Sequence, residues 1–182
     1  MISVIDASVE QFIAPLRTEY LDLAMLMITT LFSMWTVVAI IIMLLILAWS
    51  CIECRANALT MIFSMLLSVL AVESLRPIFE RARPVAIDIA YGIETAYSFP
   101  SGHSAVAASF FTCWGLLFWR QIHNQTLRAI IAGAAACAML LIAWSRVYLR
   151  VHYATDVLAG MLVGICAAYI AVAAKTYYNK KR

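Results

Sequence analysis

The chain has 182 residues, of which 65% are hydrophobic and only 13% are charged, and its formal net charge is +3. Soluble domains are about 45–50% apolar and about 25% charged, so this composition excludes an ordinary soluble protein and predicts an integral membrane protein. The small net charge, without a basic run interleaved with aromatic residues, argues against a nucleic-acid partner.

The first 21 residues mix apolar and charged positions at roughly helical spacing and are too polar to span a bilayer. We therefore expect residues 1–21 to form an amphipathic helix that lies in the membrane interface. The segment carries acidic residues and no basic n-region, which predicts that there is no cleaved signal peptide. The first membrane span would then serve as the insertion signal.

The next two apolar segments are predicted transmembrane helices. Residues 23–51 are uncharged, and at about 1.5 Å per residue one tilted helix exceeds the roughly 30 Å hydrocarbon core. No Gly or Pro interrupts this segment, so we expect a single span. A polar turn over residues 51–57 leads to a second span over residues 58–75. We expect this span to end at Arg76, because a residue that precedes proline disfavours the helical conformation.

A polar stretch, Arg76–Ser104, follows and contains three of the chain's four prolines. Further apolar runs predict spans over residues 103–119, 129–144 and 157–174, separated by polar segments over residues 120–128 and 145–156. The last run contains Gly160-x-x-x-Gly164, a spacing of small residues that lets two helices approach closely. We expect it to mark packing inside the bundle rather than a dimer contact.

These elements predict an all-α integral membrane protein, a single domain over residues 1–182. It would be a bundle of about five transmembrane helices plus an N-terminal interfacial amphipathic helix. Five spans place the chain ends on opposite sides of the membrane, and the basic tail after residue 174 favours a cytoplasmic C-terminus. The polar stretch Arg76–Ser104 would then face the periplasm or the outside.

The five cysteines lie in or next to apolar segments, and their odd number argues against a disulfide framework. We interpret them as small buried hydrophobic residues. Cys51 and Cys54 form a Cys-x-x-Cys, but the chain has neither the βαβ context of a redox motif nor the second pair that a zinc site needs.

Counting the helices places Arg76–Ser104 and Ser145–Asp156 on the same side of the membrane, where clustered ionisable groups indicate a functional site. The forked guanidinium of arginine matches phosphate oxygens two at a time. Ser-Gly-His at the start of a helix adds backbone N–H groups and the positive end of the helix dipole. The shared face collects Arg76, Arg81, Arg83, Ser101, His103, Arg146, Arg150, His152 and Asp156. This set predicts phosphate chemistry without a metal ion, because the arginines would repel a cation.

Two histidines of this face, His103 and His152, have ordinary pKa values near neutral pH and could divide nucleophile and general-acid work. Asp156 follows His152 by four residues, so in a helix the two would share a face. The carboxylate could hold one imidazole nitrogen protonated and leave the other to attack. The alternative interpretations are a surface ion pair for His152 with Asp156 and an ordinary capping residue for His103.

The sequence resembles the type-2 phosphatidic acid phosphatases, a family that shares a core with vanadium haloperoxidases. The family motifs are Lys-x6-Arg-Pro, Pro-Ser-Gly-His and Ser-Arg-x5-His-x3-Asp. The corresponding segments here are Arg76-x6-Arg83-Pro84, Pro100-Ser-Gly-His103 and Ser145-Arg146-x5-His152-x3-Asp156. The second and third match fully, whereas the first has Arg76 where the family usually has Lys. The resemblance covers Glu73 to Gly164 well.

The resemblance implies that His152 attacks phosphorus and forms a phosphohistidine, with Asp156 orienting its ring. His103 would protonate the leaving group and then activate water. The phosphoryl oxygens would be held by Arg76, Arg83, Arg146, Ser101 and the amide of Gly102. No cofactor or metal ion is implied. Arg81 and Arg150 fall outside the motifs. They could pair with Glu80, Asp88 or Glu94 or recruit anionic headgroups, and we favour the structural role.

The resemblance implies a lipid phosphatase of the bacterial cytoplasmic membrane that hydrolyses a phosphomonoester or diphosphate of a membrane lipid. Small bacterial members that resemble this chain act on undecaprenyl diphosphate, phosphatidylglycerophosphate, phosphatidate or lipid A phosphate. We favour undecaprenyl diphosphate, because it is exposed outward and small enzymes of this layout often serve it. The alternative is a non-enzymatic lipid or anion transporter, although the chain lacks the internal repeat common in transport folds.

Overall fold

The computed structural model describes residues 3–84 and 97–181, without the side chain of Arg120. Within these residues the chain forms seven α-helices and two short 3₁₀ turns, Ala14–Leu16 and Trp119–Gln121. The helices are α1 (Val4–Ile13), α2 (Glu19–Thr30), α3 (Met34–Ser50), α4 (Ile52–Phe79), α5 (Gly102–Phe118), α6 (Gln125–Tyr148) and α7 (Ala154–Lys181).

The prediction of an all-α membrane protein is confirmed. Within residues 3–84 and 97–181, four helical segments are long and apolar enough to cross a membrane: Glu19–Ser50, which comprises α2 and α3, together with α4, α6 and α7. Helix α5 is apolar but has only 17 residues. Many large hydrophobic side chains on the outer faces are exposed, including Leu70 at 65% and Leu162 at 63%. Such an apolar exterior is suited to lipid rather than water.

The first span is not the uninterrupted helix that we predicted, because it breaks between Thr30 and Met34. Ser33 is the N-cap of helix α3, and its Oγ accepts a hydrogen bond from the backbone N–H of Thr36. The Thr36 hydroxyl donates to the carbonyl of Thr30 at 2.6 Å. Hydroxyl side chains compete in this way for backbone groups and so interrupt a helix without Gly or Pro.

Both ends of α4 also differ from the predictions, and α6 and α7 extend beyond the predicted residues 129–144 and 157–174. The expected polar turn over residues 51–57 is largely helical, because α4 begins at Ile52 with Cys51 as its N-cap. Helix α4 also continues through Pro77 and ends at Phe79 instead of Arg76. The last turn is closed by the N–H of Glu80, which donates to the Arg76 carbonyl at 3.0 Å. Glu80 itself has a φ of 44°, a left-handed conformation that commonly ends a helix.

Helix α5 lies in the middle of the bundle against α4, α6 and α7. The predicted packing role of Gly160-x-x-x-Gly164 is confirmed at the contact between α7 and α5. A Cβ at Gly164 would lie 2.8 Å from the backbone nitrogen of Ser109, and one at Gly160 would lie 3.2 Å from the Ser101 carbonyl carbon. These distances are shorter than a van der Waals contact, so only glycine permits this approach. The contact brings the N-terminal ends of α5 and α7 together.

Helix α1 is amphipathic, as predicted, but it ends at Ile13 and not near residue 21. Ile13 is 1% exposed and packs with a cluster that includes Val147 and Val157 of α6 and α7. On the opposite face Val4 is 84% exposed and Phe12 is 63% exposed. The N-terminal helix therefore docks on the bundle along one face.

The interpretation of the cysteines is correct only in part. Cys113 is buried in the core, whereas Cys137 and Cys166 are exposed on the outer surface. Cys51 and Cys54 form a disulfide at the start of α4, which the sequence analysis did not predict. The two residues are three positions apart, so the start of the helix brings their sulfur atoms close together.

Candidate active site

Two short segments frame the site at the ends of the helices. After α4, the chain forms an isolated antiparallel bridge between Ala82 and Tyr97. The N–H of Ser98 donates to the Arg81 carbonyl at 2.7 Å, and the Ser98 hydroxyl donates to the Ala82 carbonyl at 3.2 Å. This pairing fixes Arg81 and Arg83 beside the segment that leads into α5.

The second segment is the turn between α6 and α7. The Arg146 carbonyl accepts hydrogen bonds from the backbone N–H groups of Val151 and His152, both at 3.2 Å. Arg150 has a φ of 56°, so the chain reverses there in a left-handed conformation. His152 consequently lies in the turn and not on a helix, which differs from the helical i, i+4 arrangement assumed for His152 and Asp156.

The hydrogen bonds of His152 determine which ring nitrogen carries the proton. Nδ1 lies 2.7 Å from the carbonyl oxygen of Ser98, and Nε2 lies 3.3 Å from Nη1 of Arg83. A carbonyl only accepts and a guanidinium only donates, so Nδ1 is protonated and Nε2 carries the lone pair. This is the form of the ring in which Nε2 is available as a nucleophile.

Asp156 is completely buried at the start of α7, but it does not make the predicted hydrogen bond with the imidazole. Its Oδ2 lies 3.7 Å from Nδ1 of His152, and the Ser98 carbonyl is the acceptor instead. The backbone N–H of Tyr153 donates to Oδ2 at 2.9 Å, and Oδ1 pairs with Arg81. Asp156 thus faces the ring as a nearby negative charge.

Burial makes His152 difficult to protonate. Desolvation lowers its pKa from the ordinary 6.5 to about 4, with help from the charges of Arg146 and Arg83. The Asp156 carboxylate acts in the opposite direction and limits the fall in pKa. The imidazole is therefore neutral at physiological pH.

Arginines surround the N-terminal end of α5. Nη2 of Arg76 would lie 3.3 Å from a Cβ on Gly102, so the guanidinium lies directly over the glycine. Glu73, one turn earlier on α4, pairs with Arg76. Nη1 of Arg83 donates to the Val151 carbonyl at 2.7 Å. The charge of each of these two arginines also acts on the ring of His103.

The first turn of α5 is open to an anion. Ser101 precedes the helix and is fully buried, and its N–H donates to the Asp156 carbonyl at 3.0 Å. Among the residues that the structure describes, no side chain accepts a hydrogen bond from the first N–H groups of α5. Gly102 and half-buried His103 occupy this turn. Unsatisfied N–H groups and the positive end of the helix dipole favour a bound anion here.

Arg146 is 9% exposed at the end of α6, and its Nη1 donates to the Thr29 hydroxyl at 2.7 Å. Thr29 belongs to the last turn of α2, directly before the break in the first span. The sequence analysis missed Thr29, although two consecutive threonines inside an uncharged span were a visible signal.

Arg81 and Arg150 do not form the predicted pair with Glu80. Arg81 pairs with Asp6 and Asp156, and Arg150 pairs with Glu10. The other predicted partners, Asp88 and Glu94, lie outside the described residues. Both observed acids of the N-terminal helix, Asp6 and Glu10, were missed. Asp6 shares the buried face of α1 with Ile13, and an acid on the apolar face of an amphipathic helix could have indicated a partner.

The described residues therefore unite a neutral imidazole, a second histidine, one buried and several partly buried arginines, and an uncapped helix start. Neither of the described ranges contains a group of three His, Cys, Asp or Glu side chains that could hold a metal ion. The arrangement suits attack by Nε2 on an electrophile whose negative charge is held by guanidinium and backbone N–H donors.

Comparison with known families identifies a relationship over most of the chain. The sequence profile of the PAP2 superfamily matches residues 57–180. Phosphatidylglycerophosphatase B of Bacillus subtilis (strain 168) is 35% identical over 95 residues, which cover 50% of this chain and 44% of that protein. Dolichyldiphosphatase of Saccharomyces cerevisiae is 26% identical over 135 residues, which cover 71% of this chain and 56% of that protein. The chain spans about half the length of the curated relatives it matches.

A solved structure has the same fold. The crystal structure of a transmembrane PAP2 type phosphatidylglycerolphosphate phosphatase from Bacillus subtilis superimposes with a TM-score of 0.81. The superposition covers 97% of this chain and 86% of the other, at 24% sequence identity. This likeness concerns the fold alone, and it includes the N-terminal helices that precede the matched family region.

Proposed function

The chain belongs to the PAP2 superfamily, and we propose that it is a membrane lipid phosphatase in which His152 is the nucleophile. The observation that carries the proposal is the pair of hydrogen bonds that leaves the lone pair on Nε2 of His152. A neutral imidazole that is already in the attacking tautomer needs no base to activate it.

In the first step, Nε2 of His152 attacks phosphorus and the bond to the leaving oxygen breaks. His103 donates a proton to the leaving alkoxide or phosphate, which gives a phosphohistidine and the free alcohol or phosphate. The guanidinium groups of Arg76, Arg83 and Arg146 stabilise the charge on the phosphoryl oxygens, together with Ser101 and the backbone N–H of Gly102. Asp156 stabilises the positive charge that develops on the imidazole ring.

In the second step, His103 takes a proton from water, and the resulting hydroxide attacks the phosphohistidine. The N–P bond breaks and its electron pair returns to Nε2, so inorganic phosphate leaves and the enzyme is regenerated. The arginine cluster accounts for charge stabilisation in both steps, because each passes through a similar phosphoryl transition state.

The substrate that we propose is a phosphomonoester or diphosphate of a membrane lipid, with undecaprenyl diphosphate ranked first. The names of the relatives support both classes, since one is a phosphatidylglycerophosphatase and another is a dolichyldiphosphatase. We place the active site on the outer face of a bacterial cytoplasmic membrane, with the C-terminal tail in the cytoplasm. The basic residues near the end of α7, Lys180 and Lys181, favour this orientation.

The test is phosphate release by the purified protein from a panel of polyprenyl and glycerolipid phosphates, in the presence of EDTA. We expect wild-type protein to release phosphate, most rapidly from undecaprenyl diphosphate. His152→Ala should lose activity on every lipid, because no nucleophile remains. His103→Ala should lower kcat by about 10²- to 10⁴-fold, the usual contribution of general acid–base catalysis.

His123→Ala is the matched control, since His123 is exposed in the turn between α5 and α6 and should keep full activity. Wild-type turnover by His152→Ala would refute the assigned nucleophile. If neither the wild-type protein nor His152→Ala releases phosphate, but both move a fluorescent lipid phosphate across a vesicle bilayer, the transporter alternative is favoured. Activity that disappears with EDTA and returns with Mg²⁺ contradicts the metal-free mechanism.

A further inference from the structure

Helix α1 carries a buried acid, Asp6, that contacts the active site. Its side chain is 2% exposed, although the neighbouring Val4 and Ile5 are 84% and 59% exposed. Oδ2 of Asp6 accepts a hydrogen bond from Nη2 of Arg81 at 2.6 Å. Oδ1 accepts one from the backbone N–H of Thr155 at 3.0 Å. Asp6 thus binds both a cation and the first turn of α7.

Arg81 lies between two buried carboxylates. Nη2 donates to Asp6, whereas Nη1 donates to Asp156 and, at 2.7 Å, to the Thr155 hydroxyl. The guanidinium also stacks on the ring of Tyr153, with 4.2 Å between its central carbon and the ring centroid. Negative and positive charges therefore alternate from Asp6 on α1 through the partly buried Arg81 to Asp156, which faces His152.

All of these contacts are consistent with charged side chains. Burial raises the pKa of the Asp6 carboxyl, but hydrogen bonds from the Thr155 backbone, Arg81 and Ser3 outweigh it and hold the pKa well below its usual range. Burial lowers the pKa of Arg81, but the two carboxylates raise it by more. The guanidinium therefore carries a full positive charge that both carboxylates share.

Asp6 matters to His152 because it shares the charge of Arg81. Without Asp6, that positive charge would be balanced by Asp156 alone, and the pair would present little net negative charge to the ring. When Nε2 bonds to phosphorus, the imidazole gains positive charge that Asp156 must stabilise from 3.7 Å. The buried setting makes this charge effect stronger than it would be in water.

We propose that Asp6 and Arg81 are positioning residues of the phosphoryl-transfer reaction, which hold Asp156 beside His152 and keep its negative charge available to the imidazole. The inference rests on the proposed function. It makes helix α1 part of the active site, in addition to any contact that the helix makes with the membrane surface.

The chain offers a matched control for a role in docking α1 alone. Glu10 lies on the same helix and pairs with Arg150 in the turn between α6 and α7. In the described part of the chain, neither Glu10 nor Arg150 has a hydrogen bond or ion pair with Asp156. Glu10→Gln therefore weakens the attachment of α1 and leaves the charge series intact.

The experiment measures kcat and KM for phosphate release by Asp6→Asn, Asp6→Glu and Glu10→Gln in the full-length protein. We expect Asp6→Asn to lower kcat by about 10- to 100-fold, the loss typical when a group that orients a reacting side chain is removed. KM should change little, because the Asp6 side chain bonds to Ser3, Arg81 and Thr155 and, within the described residues, to none of the proposed phosphate-binding groups. Asp6→Glu should restore part of kcat, and Glu10→Gln should stay close to wild type.

A double variant tests the connection directly. Asp6 acts through Arg81, so Asp6→Asn combined with Arg81→Gln should lose no more kcat than Arg81→Gln alone. The Thr155 hydroxyl donates to Asp6 and accepts from Arg81. Thr155→Val removes this hydroxyl and changes no charge, so it should also lower kcat at constant KM. This variant supplies the same test if Asp6→Asn does not fold.

The inference is wrong if Asp6→Asn, or Thr155→Val in its place, retains wild-type kcat. It is also wrong if Glu10→Gln loses as much kcat as Asp6→Asn. A third contradicting result is a loss of kcat in the double variant equal to the product of the losses in Asp6→Asn and Arg81→Gln. Failure of the proposed function gives a different result, because the wild-type protein would then release no phosphate, or His152→Ala would release it at the wild-type rate. A dead His152→Ala with an unchanged Asp6→Asn rejects the positioning role alone.

Discussion

At the scale of single residues, the surroundings of His152 determine its chemistry more than its identity does. Two contacts select one tautomer: the Ser98 carbonyl accepts a hydrogen bond from Nδ1, and the Arg83 guanidinium donates one to Nε2. Complete burial makes protonation costly, and Asp156 only partly offsets that cost. The same histidine on an exposed loop would titrate near neutral pH and would lack a fixed attacking nitrogen.

The lowered pKa of His152 predicts where the nucleophile is lost on acidification. Only the neutral ring has a free lone pair, so the nucleophile is present above the pKa and disappears as the pH falls through it. With a pKa of about 4 instead of 6.5, the ring should remain neutral at pH 6. Histidine-labelled protein in detergent micelles can be titrated by NMR, with His152→Gln used to assign the signal. A midpoint near 6.5 would contradict this prediction.

At the scale of elements, the contact between α5 and α7 links packing to the site. Gly160 faces the Ser101 backbone one turn after Asp156, and Gly164 faces Ala105 and Ser109. Because the backbones themselves touch, the hydrogen bond from the Ser101 N–H to the Asp156 carbonyl forms at 3.0 Å. The small residues on α7 therefore determine how near the N-terminal end of α5 lies to the start of α7.

A methyl group at this contact should separate the two helices. Gly160→Ala cannot be accommodated without a backbone shift, so we expect kcat to fall by about 10²-fold, as for a displacement of about 1 Å in an active site. Gly133→Ala is the control, because a Cβ there meets nothing within 4 Å and alanine favours a helix by about 1 kcal/mol. Thermal unfolding and phosphate release are measured for both variants. Normal activity of Gly160→Ala would show that this contact does not position Ser101.

At the scale of the whole molecule, the bundle brings one cluster of paired charged groups together at one end and exposes apolar side chains around its outer surface. Residues from α1, the segment after α4, the start of α5 and the turn between α6 and α7 meet there. Segments that lie on the same side of the membrane are separated along the chain by an even number of membrane crossings. Helix α7 starts at the site and crosses once, so Lys180 and Lys181 at its other end lie far from the site.

This arrangement predicts the orientation of the chain in the membrane. A green fluorescent protein fused to the C-terminus should fluoresce, because it folds in the cytoplasm, whereas a C-terminal alkaline phosphatase fusion should stay inactive. Lys180 and Lys181 replaced together by Gln should weaken this bias, since cytoplasmic segments are enriched in cations. Active alkaline phosphatase at the C-terminus of the unmodified chain would place the proposed site in the cytoplasm instead.

Composition and local patterns were sufficient for the fold class and pointed to part of the polar cluster, but not to Thr29, Asp6 or Glu10. Long apolar runs directly indicate membrane spans, and motif spacing places His103, His152 and Asp156 near helix ends. Helix boundaries were less predictable, because they depend on a few hydrogen bonds. The break at Ser33 and the continuation of α4 through Pro77 both follow from caps that local patterns do not reveal.

The membrane class, the all-α architecture and the identity of the polar groups follow from the amino-acid sequence alone, through hydropathy and residue chemistry. How those groups pair depends on the tertiary structure. It replaced Asp156 with the Ser98 carbonyl as the acceptor for His152, and it joined Arg81 to Asp6 across 75 residues. The physical reason is that buried charges and donors take whichever partners the packed helices bring within hydrogen-bond distance, and that proximity is not encoded in local spacing.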